Sequence, residues 1–499
     1  MISKIAQKLN LNDEDIITYG KDIAKIIKKD NTNKKGKLIL VTSITPTPYG
    51  EGKTTLVIGI NDVLRKLGKN SVAVIREPSM GPTFGIKGGA TGGGKASVIP
   101  ENDINLSFTG DFSAITNANN LICALIDNHI FHGNELKIKK IVFNRAIDIC
   151  DRSLRNIVID NNLYHYDITA ASEIMGIMTL TKDDNDLRNR IDNILIAYDD
   201  NDLPIYFKSL NATGAIYTLL EKALYPNLVR SLENNPVIVH MGPFANVSIG
   251  CNSLISTTLA TSLADYTIVE AGFGSDLGCE KFFDIKCRTG NLNPNLVILN
   301  VTIRALKYHG NNSLINGLNN LEKHIQNINN FTNNILVVLN KFEDDSNEEI
   351  NILSDFVNNL NMPFEICESY LKGSDGSIKL GLKIIDLVKE NNIKYLYELE
   401  EDIQNKINKI CTKMYHVDKV IYTSDVLEKI DKINKTGLNN LPICIAKSPL
   451  SLNGNKDTSL DYIKINDIKV NNGAGYIVAY SGNILTLPGL PKHPKACDF

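Results

Sequence analysis

The chain contains a series of short, almost continuous apolar runs, each of which ends in glycine or polar residues. Runs rich in Val and Ile and bounded by turn residues are typical of strands buried in a parallel sheet. Leu38 to Ile44 and Ser71 to Ile75 are the first two. Similar runs open the segments 236–253, 266–282 and 295–310, and others occupy 139–144, 334–340 and 363–367.

Segments with apolar residues at helical spacing lie between these runs. Helices are predicted as one or two elements over 1–30, after Thr55, and over 114–128, 182–197, 321–330, 377–390 and 398–414. Strands that alternate with helices favour an α/β fold with a mostly parallel sheet and right-handed crossovers. From Leu441 the runs ICIAK, YIKINDIKV, GYIVAY and NILTL predict a small, mostly β or mixed end region.

The segment KLILVTSITPTPYGEGKTT, at 37–55, predicts a phosphate-binding loop. A strand, a loop with Pro and Gly, and a helix follow in that order, so loop N–H groups and the helix N-terminus would face an anion. Lys53 would add a charge, and the Thr54 hydroxyl would suit Mg²⁺. Thr47 occupies the position where the usual motif has glycine, so the motif is a variant. The alternative is a turn with an exposed lysine.

Other chemistry is expected where the strands end. Open α/β sheets bind ligands at the carboxyl ends of their strands, and His240, Glu270 and Arg304 come at or after such ends. The glycine-rich segment MGPTFGIKGGATGGGKASVIP, at 80–100, follows the second strand. Glycine lets backbone approach a ligand closely, so this segment predicts a ligand-binding backbone, with a flexible loop as the alternative.

Composition excludes several classes of protein. The 499 residues are 43% hydrophobic and 22% charged with a net charge of −3, which fits a globular protein of about two to four domains. The charge gives no reason to expect nucleic-acid binding, and no apolar run reaches the roughly 20 residues of a membrane span. Nine cysteines without a C-x-x-C pair, and no secretory signal pattern, predict a cytoplasmic protein with reduced thiols. His129 and His132 have the spacing of metal ligands but lack a third nearby ligand, so they are interpreted as polar helix-end residues.

Several segments together resemble the formate–tetrahydrofolate ligase family over essentially the whole chain. They are GIKGGATGGGK, VTIRALKYHGN, TPYGEGKT, REPSMGP, GPFANVSIGCNS, EAGFGSDLGCEKF, GNLPICIAK (here NNLPICIAK) and LPGLPKHP, in family order. The resemblance implies that ATP phosphorylates formate to formyl phosphate, which tetrahydrofolate attacks to give 10-formyltetrahydrofolate. It also implies Mg²⁺, a monovalent cation such as K⁺ or NH₄⁺, and a homotetramer. The expected architecture is a large P-loop NTPase-like domain over 1–323, a second α/β domain over 324–460 and a small region over 461–499.

The resemblance assigns site residues by position. It implies catalytic roles for Lys53 and Arg76, and formyl phosphate contacts for Arg76, Gly88, Gly89 and Gly92. Folate would stack on Phe342 and Tyr370, with Phe273 near the reacting centre. Glu77 and Asp111 would bind the monovalent cation, and Thr54 would bind Mg²⁺. ATP would bind the loop residues Thr47, Pro48, Tyr49, Gly50, Glu51, Gly52, Lys53, Thr54 and Thr55.

The chain departs from the family pattern at several positions. Family members commonly have histidine where Ser107, Ser113 and Ile249 stand, proline at Glu343 and tryptophan at Tyr370. Two alternatives stay open. One is a P-loop ligase for another small carboxylate or carbamate, as in dethiobiotin synthetase, which would require a changed acid pocket. The other, motivated by the missing histidines, is a catalytically impaired nucleotide- or folate-binding relic.

Overall fold

The computed structural model describes residues 1–28, 35–85, 90–159, 162–455 and 459–498. One large sheet forms its centre, with strands in the order β1-β2-β14-β15-β4-β16-β3-β17-β18-β19. The strands are β1 Ile16–Tyr19, β2 Ile23–Ile26, β3 Lys37–Ser43, β4 Ser71–Ile75, β5 Gly92–Gly93, β6 Ala96–Ile99, β7 Lys140–Ile141, β8 Arg145–Ile147, β9 Ile157–Ile159, β10 Asn162–Tyr164, β11 Tyr166–Ile168, β12 Leu195–Tyr198, β13 Pro204–Tyr206, β14 Asn227–Ser231, β15 Pro236–Val239, β16 Tyr266–Glu270, β17 Leu296–Val301, β18 Ile335–Asn340, β19 Phe364–Cys367, β20 Lys419–Tyr422, β21 Ile443–Ala446, β22 Tyr462–Asn471 and β23 Tyr476–Ser481.

Helices cover both faces of this sheet and connect its strands. They are α1 Ile2–Gln7, α2 Lys53–Lys66, α3 Met80–Phe84, α4 Glu101–Asn105, α5 Asp111–Phe131, α6 Glu173–Leu180, α7 Asp184–Asp192, α8 Thr213–Leu220, α9 Leu254–Leu263, α10 Arg288–Gly290, α11 Ile303–His309, α12 Leu314–Asn329, α13 Asn347–Asn359, α14 Ser369–Lys372, α15 Ile378–Leu387, α16 Ile403–Tyr415 and α17 Ser424–Lys435. Two π-helical segments, Ser275–Cys279 and Phe282–Cys287, follow β16.

The sheet is parallel from β15 to β19 and antiparallel from β1 to β15. Side chains of β3 alternate between its faces, as a strand requires. Ile39 and Val41 lie in one buried cluster with Leu56 of α2, whereas Leu38 and Leu40 lie in the other. Both faces are therefore buried, which explains why the parallel strands read as continuous apolar runs. The predicted α/β class with a mostly parallel sheet is confirmed.

Several predicted elements are wrong. The segment predicted as helical over 1–30 instead holds the short helix α1 and then the hairpin β1–β2. Gly20, with φ 72°, allows the turn between these two strands of four residues each. Within 139–144 only β7 pairs as a strand, and the helix predicted over 182–197 ends at Asp192, before β12. The segment NILTL forms no strand; Thr486 instead accepts a backbone hydrogen bond from Ile168.

A separate four-stranded sheet lies near the C-terminus, in the order β20-β22-β23-β21. Lys447, just after β21, forms a buried ion pair of 2.6 Å with Asp276 of the first π-helical segment. Strands β18 and β19 belong to the large sheet. The domain boundaries predicted from the sequence remain predictions.

Candidate active site

The candidate site lies along the carboxyl edge of the parallel strands. The loops after β3, β4, β16, β17, β18 and β19 all leave this edge, because these strands point the same way. Strand β3 is flanked by β16 and β17, which come far later in the chain. Ligands bind open α/β sheets at this edge, beside such crossovers.

The predicted phosphate loop connects β3 to α2. Gly50 and Gly52 have φ values of 79° and 65°, which glycine adopts without strain. A Cβ on Gly52 would lie 2.5 Å from Asn340 Nδ2, so any larger residue would have to displace the Asn340 side chain. Helix α2 begins at Lys53, and the N-terminus of a helix is suitable for binding an anion.

Glu51 holds the shape of the loop from inside. It is 3% exposed, and its Oε1 accepts hydrogen bonds from Thr47 N at 2.9 Å and Thr47 Oγ1 at 2.6 Å. Its Oε2 accepts one from Thr302 Oγ1. Thr47 and Glu51 are thus engaged with each other, whereas Tyr49 is 81% exposed.

The segment VTIRALKYHGN supports the same loop from outside. Arg304 donates to Gly50 O, lies 3.8 Å from Glu51 Oε2, and stacks over the Phe342 ring at 4.4 Å. His309 Nε2 donates to Thr45 O at 3.0 Å, and burial lowers the pKa of His309. Arg304, predicted only as a strand-end residue, therefore connects the phosphate loop with Phe342.

Thr54 and Arg76 meet on one carboxylate. Thr54 Oγ1 donates to Glu270 Oε2 at 2.9 Å, and Arg76 Nε lies 3.5 Å from Glu270 Oε1. Glu270 is the last residue of β16, which lies between β3 and β4. The order of strands therefore brings the two loops together. Sequence reasoning noted Glu270 as a strand-end acid but assigned it no role.

The surroundings of Arg76 are tightly packed. A Cβ on Gly272 would lie 2.9 Å from Arg76 Nη1 and 2.6 Å from Ala245 Cβ. Phe273 follows with φ 57° and is half-buried. Arg76 Nη1 also lies 3.4 Å from Pro243 O. The structure thus brings the segment around Phe273 close to Arg76.

The described part of the glycine-rich segment folds over α2. Gly92 lies on β5, where a Cβ would be 2.7 Å from Ile58 Cδ1 of α2. A Cβ on Gly94 would be 2.3 Å from Tyr370 O, to which Lys95 N donates at 2.9 Å. Tyr370, which is 50% exposed, therefore packs against this segment. Gly88 and Gly89 lie outside the described residues.

The two residues predicted for a monovalent cation lie in a buried polar cluster. Lys25 Nζ contacts Asp111 Oδ1 at 2.7 Å and Tyr225 O at 3.1 Å, and Asn227 donates to Asp111 Oδ2 at 2.8 Å. Burial, and then the negative charge of Asp111, raise the pKa of Glu77 well above its ordinary value. The sequence did not reveal Lys25, because it comes from the misassigned N-terminal segment.

Glu77 Oε2 is buried and has no hydrogen-bond partner among the described residues. A buried oxygen without a partner in this position fits a cation ligand, because a bound cation would favour the ionised form of Glu77 that burial disfavours. Nearby, His240 accepts from Ser253 Oγ and donates to Ala223 O at 2.8 Å. Because burial lowers the pKa of His240 to about 4, this histidine is a neutral structural residue.

The positions that depart from the family pattern have different surroundings. Ser107 and Ser113 are exposed, and Ser107 has φ 61°. Ile249 is fully buried, whereas Glu343 is exposed. At position 249 a buried isoleucine therefore stands where the family has a polar histidine. At positions 107 and 113 serine replaces histidine on the surface.

Other features carry no chemistry of their own. His129 Nε2 accepts from Leu136 N at 3.0 Å at the end of α5, and the described residues contain no group of three His, Cys, Asp or Glu side chains arranged for a metal ion.

Within the residues that the structure describes, no helix combines the length and apolar character that crossing a membrane requires.

The comparison with known protein families covers the entire chain. The family described as formate–tetrahydrofolate ligase matches residues 1–499. The matched region includes the phosphate loop, Arg76, Glu270 and both folate-stacking candidates. The chain therefore belongs to the formate–tetrahydrofolate ligase family of enzymes.

Proposed function

We propose that the enzyme ligates formate to tetrahydrofolate through formyl phosphate. A formate oxygen would take the γ-phosphoryl group of ATP, releasing ADP. The N10 amine of tetrahydrofolate would then attack the formyl carbon, lose its proton and expel phosphate. The carrying observation is that Thr54 and Arg76 share Glu270 at the N-terminus of α2, so a nucleotide phosphate and a small carboxylate would be neighbours.

The phosphate loop supplies the nucleotide end of this site. The first N–H groups of α2 and the Lys53 ammonium would hold the phosphates, since phosphoryl transfer depends on positioning and positive charge. Thr54 Oγ1 and Glu270 Oε2, 2.9 Å apart, are oxygen donors of the kind that Mg²⁺ prefers. Bound Mg²⁺ would neutralise phosphate charge.

Arg76 supplies the acid end. Its planar guanidinium can donate two parallel hydrogen bonds to formate and then to the acyl phosphate. Because Gly272 has no side chain, backbone can lie against Arg76 and exclude water from the reacting carbon. Exclusion matters because an acyl phosphate hydrolyses readily.

Three aromatic residues would bind the folate. Phe342 lies against Arg304, and Tyr370 packs against Gly93–Gly94. Both of these neighbours border the phosphate loop. Flat rings bind favourably to such faces. We propose that Phe273, beside Arg76, lies nearest the carbon that is transferred.

A monovalent cation and self-association complete the proposal. The cation, K⁺ or NH₄⁺, would take the unpaired Glu77 Oε2 as a ligand. Self-association, which we propose gives a homotetramer, is supported by the hairpin β9–β10, where Val158 is 68% and Leu163 is 56% exposed. Apolar exposure of this kind favours association.

The test is ADP release by the purified protein with ATP, Mg²⁺ and K⁺, given formate, tetrahydrofolate or both. We expect turnover to require both and the product to be 10-formyltetrahydrofolate. Nucleotide binding without turnover in any mixture would overturn the proposal and favour the relic. Turnover with another small acid in place of formate would favour a different ligase.

Lys53→Ala should reduce kcat by about 100-fold or more, since it removes charge that stabilises the transferring phosphoryl group. Lys66→Ala, in the last turn of the same helix, is the matched control. Lys66 pairs at the surface with Asp375, so its loss should leave turnover unchanged. Equal effects of the two substitutions would contradict a role for Lys53 at the phosphates.

A further inference from the structure

Glu270 contacts both halves of the proposed site, and its role toward Mg²⁺ involves only one of its two oxygens. Its carboxylate is 3% exposed, with one oxygen on the Thr54 hydroxyl and the other facing Arg76. The contact with Arg76 is loose, because Nε lies 3.5 Å away and is a buried atom without a hydrogen bond. The pair is therefore an electrostatic contact that can be exchanged for another.

A carboxylate in this place opposes the binding of an anion by Arg76. Formate and formyl phosphate are both negative, and at short range two like charges repel strongly where water is scarce. Glu270 also neutralises part of the charge that Arg76 would offer. With Glu270 uncompensated, Arg76 is thus a weaker anion site than its guanidinium could be.

Glu270 has a second partner available on its other side. Its Oε2 is directed to Thr54 at the N-terminus of α2, where the proposed function places Mg²⁺ and the nucleotide phosphates. A divalent ion held there would satisfy the negative charge of Glu270. Arg76 would then keep its full positive charge for the acid substrate.

We propose that Glu270 is a positioning residue that couples the two halves of the site, so that the magnesium–nucleotide complex strengthens anion binding at Arg76. The inference rests on the proposed function and assigns it a regulation: formate and its acyl phosphate bind weakly until the nucleotide is in place. Since coupling free energies are reciprocal, an anion on Arg76 also strengthens binding of the magnesium–nucleotide complex.

The test measures binding rather than turnover. Formate, which has no phosphoryl group to give to ADP, is titrated into the protein alone, with Mg²⁺ alone, with ADP and EDTA, and with ADP and Mg²⁺. We expect ADP with Mg²⁺ to lower its Kd by about 10-fold, a typical size for coupled sites. In Glu270→Gln the Kd should already be low without nucleotide and should change by less than about 3-fold on adding ADP and Mg²⁺.

Glu173→Gln is the matched control, because Glu173 is also a buried glutamate but accepts its hydrogen bonds from Gly473 and Ala474. It should keep the wild-type coupling. Binding of ADP in EDTA shows that each variant is folded with its nucleotide site intact. A Glu270→Gln variant that passes this check and keeps the full coupling would overturn the inference.

The outcomes also separate this inference from the proposed function. A wild-type protein that binds no nucleotide contradicts the proposed function. A wild-type protein that binds nucleotide and formate independently contradicts only the coupling. Should Glu270→Gln fail to fold, the wild-type titrations test the inference by themselves, because ADP in EDTA should leave the Kd for formate unchanged; equal strengthening by ADP with and without Mg²⁺ would overturn the inference.

Discussion

Phe273 has a backbone conformation that does not suit its side chain. Its φ of 57° is in the left-handed region, which costs a non-glycine residue roughly 1–2 kcal/mol. Strain of this kind persists where surrounding structure enforces it, often at functional sites. Here it occurs at the residue that follows Gly272, whose Cβ position lies 2.9 Å from Arg76 Nη1, in the part of the site where the proposed reaction needs an apolar face.

A glycine variant is usually less stable than the alanine variant at the same position, and Phe273 should show the opposite order of stability. We expect Phe273→Gly to be more stable to unfolding than Phe273→Ala by about 1 kcal/mol, because only alanine retains the strain. Urea denaturation measures the difference, and both variants should bind tetrahydrofolate equally weakly. Phe342, where φ is not positive, is the control site. There the alanine variant should be at least as stable as the glycine variant. The same ranking at both sites would show that strain is not responsible.

Glu173 should make stability depend on pH. Burial raises the pKa of Glu173 to about 7, above its ordinary value, so the folded state keeps a proton that the unfolded state releases. Stability should therefore fall as pH rises from about 4.5 to 7. Glu173→Gln cannot ionise, and we expect the difference in unfolding free energy between pH 5 and pH 8 to change by about 3 kcal/mol relative to wild type. Parallel stability profiles for the two proteins would contradict this.

The residues that follow individual strands could be predicted from the sequence, but the contacts between these residues could not. Lys53, Thr54 and Arg76 follow apolar runs that are unmistakable because both faces of the sheet are buried. Their meeting on Glu270 depends on β16 lying between β3 and β4, and that order is not a property of any local segment. The hairpin β1–β2 was misassigned because strands of four residues are too short for alternation to be distinguished from helical spacing.

At the scale of elements, β2, α5 and β14 together form the buried polar cluster around Asp111. Lys25 on β2 pairs with Asp111, the first residue of α5. Asn227 of β14 binds the second oxygen of the same carboxylate. Three elements distant in sequence are thereby fixed by one buried charge, which keeps the neighbouring Glu77 in place.

Lys25→Met should weaken this junction. Removing one partner of a buried ion pair typically costs about 3–5 kcal/mol, and we expect the unfolding free energy to fall by that amount. Ammonium ions should restore part of it, because they can donate to Asp111 and to Tyr225 O. Tetramethylammonium cannot donate and should have no effect. Lys28→Met, at an exposed pair with Asp15, is the control, and a loss of equal size there would contradict the prediction.

At the scale of the whole molecule, the C-terminal sheet is fastened to the site by Lys447 and Asp276. Both side chains are essentially inaccessible to solvent. Asp276 belongs to the π-helical segment that begins two residues after Phe273. The position of the C-terminal sheet is therefore connected to the part of the site that faces Arg76.

Lys447→Met should reduce both stability and turnover, since it leaves Asp276 buried without its cation, a change that typically costs about 3–5 kcal/mol. Adding Asp276→Asn should recover much of the loss, which a double-mutant cycle measures. Lys495→Met, at an exposed pair with Asp498, should change stability by less than about 1 kcal/mol. Additive effects of the two buried substitutions would show that the pair does not act as a unit.

The position of β3 in the sheet has a consequence for synthesis of the protein. Lys37 pairs with Tyr266 and Ile39 with Leu296, so the neighbours of this strand are translated long after it. A chain on the ribosome that has reached only Ala264 has made the phosphate loop but neither Glu270 nor Arg304. Such a nascent chain carries exposed strand edges and apolar surface for much of its translation, a state prone to aggregation. Chaperones would be needed most during that interval, and the proposed nucleotide site would become complete only once β16 and β17 have joined β3.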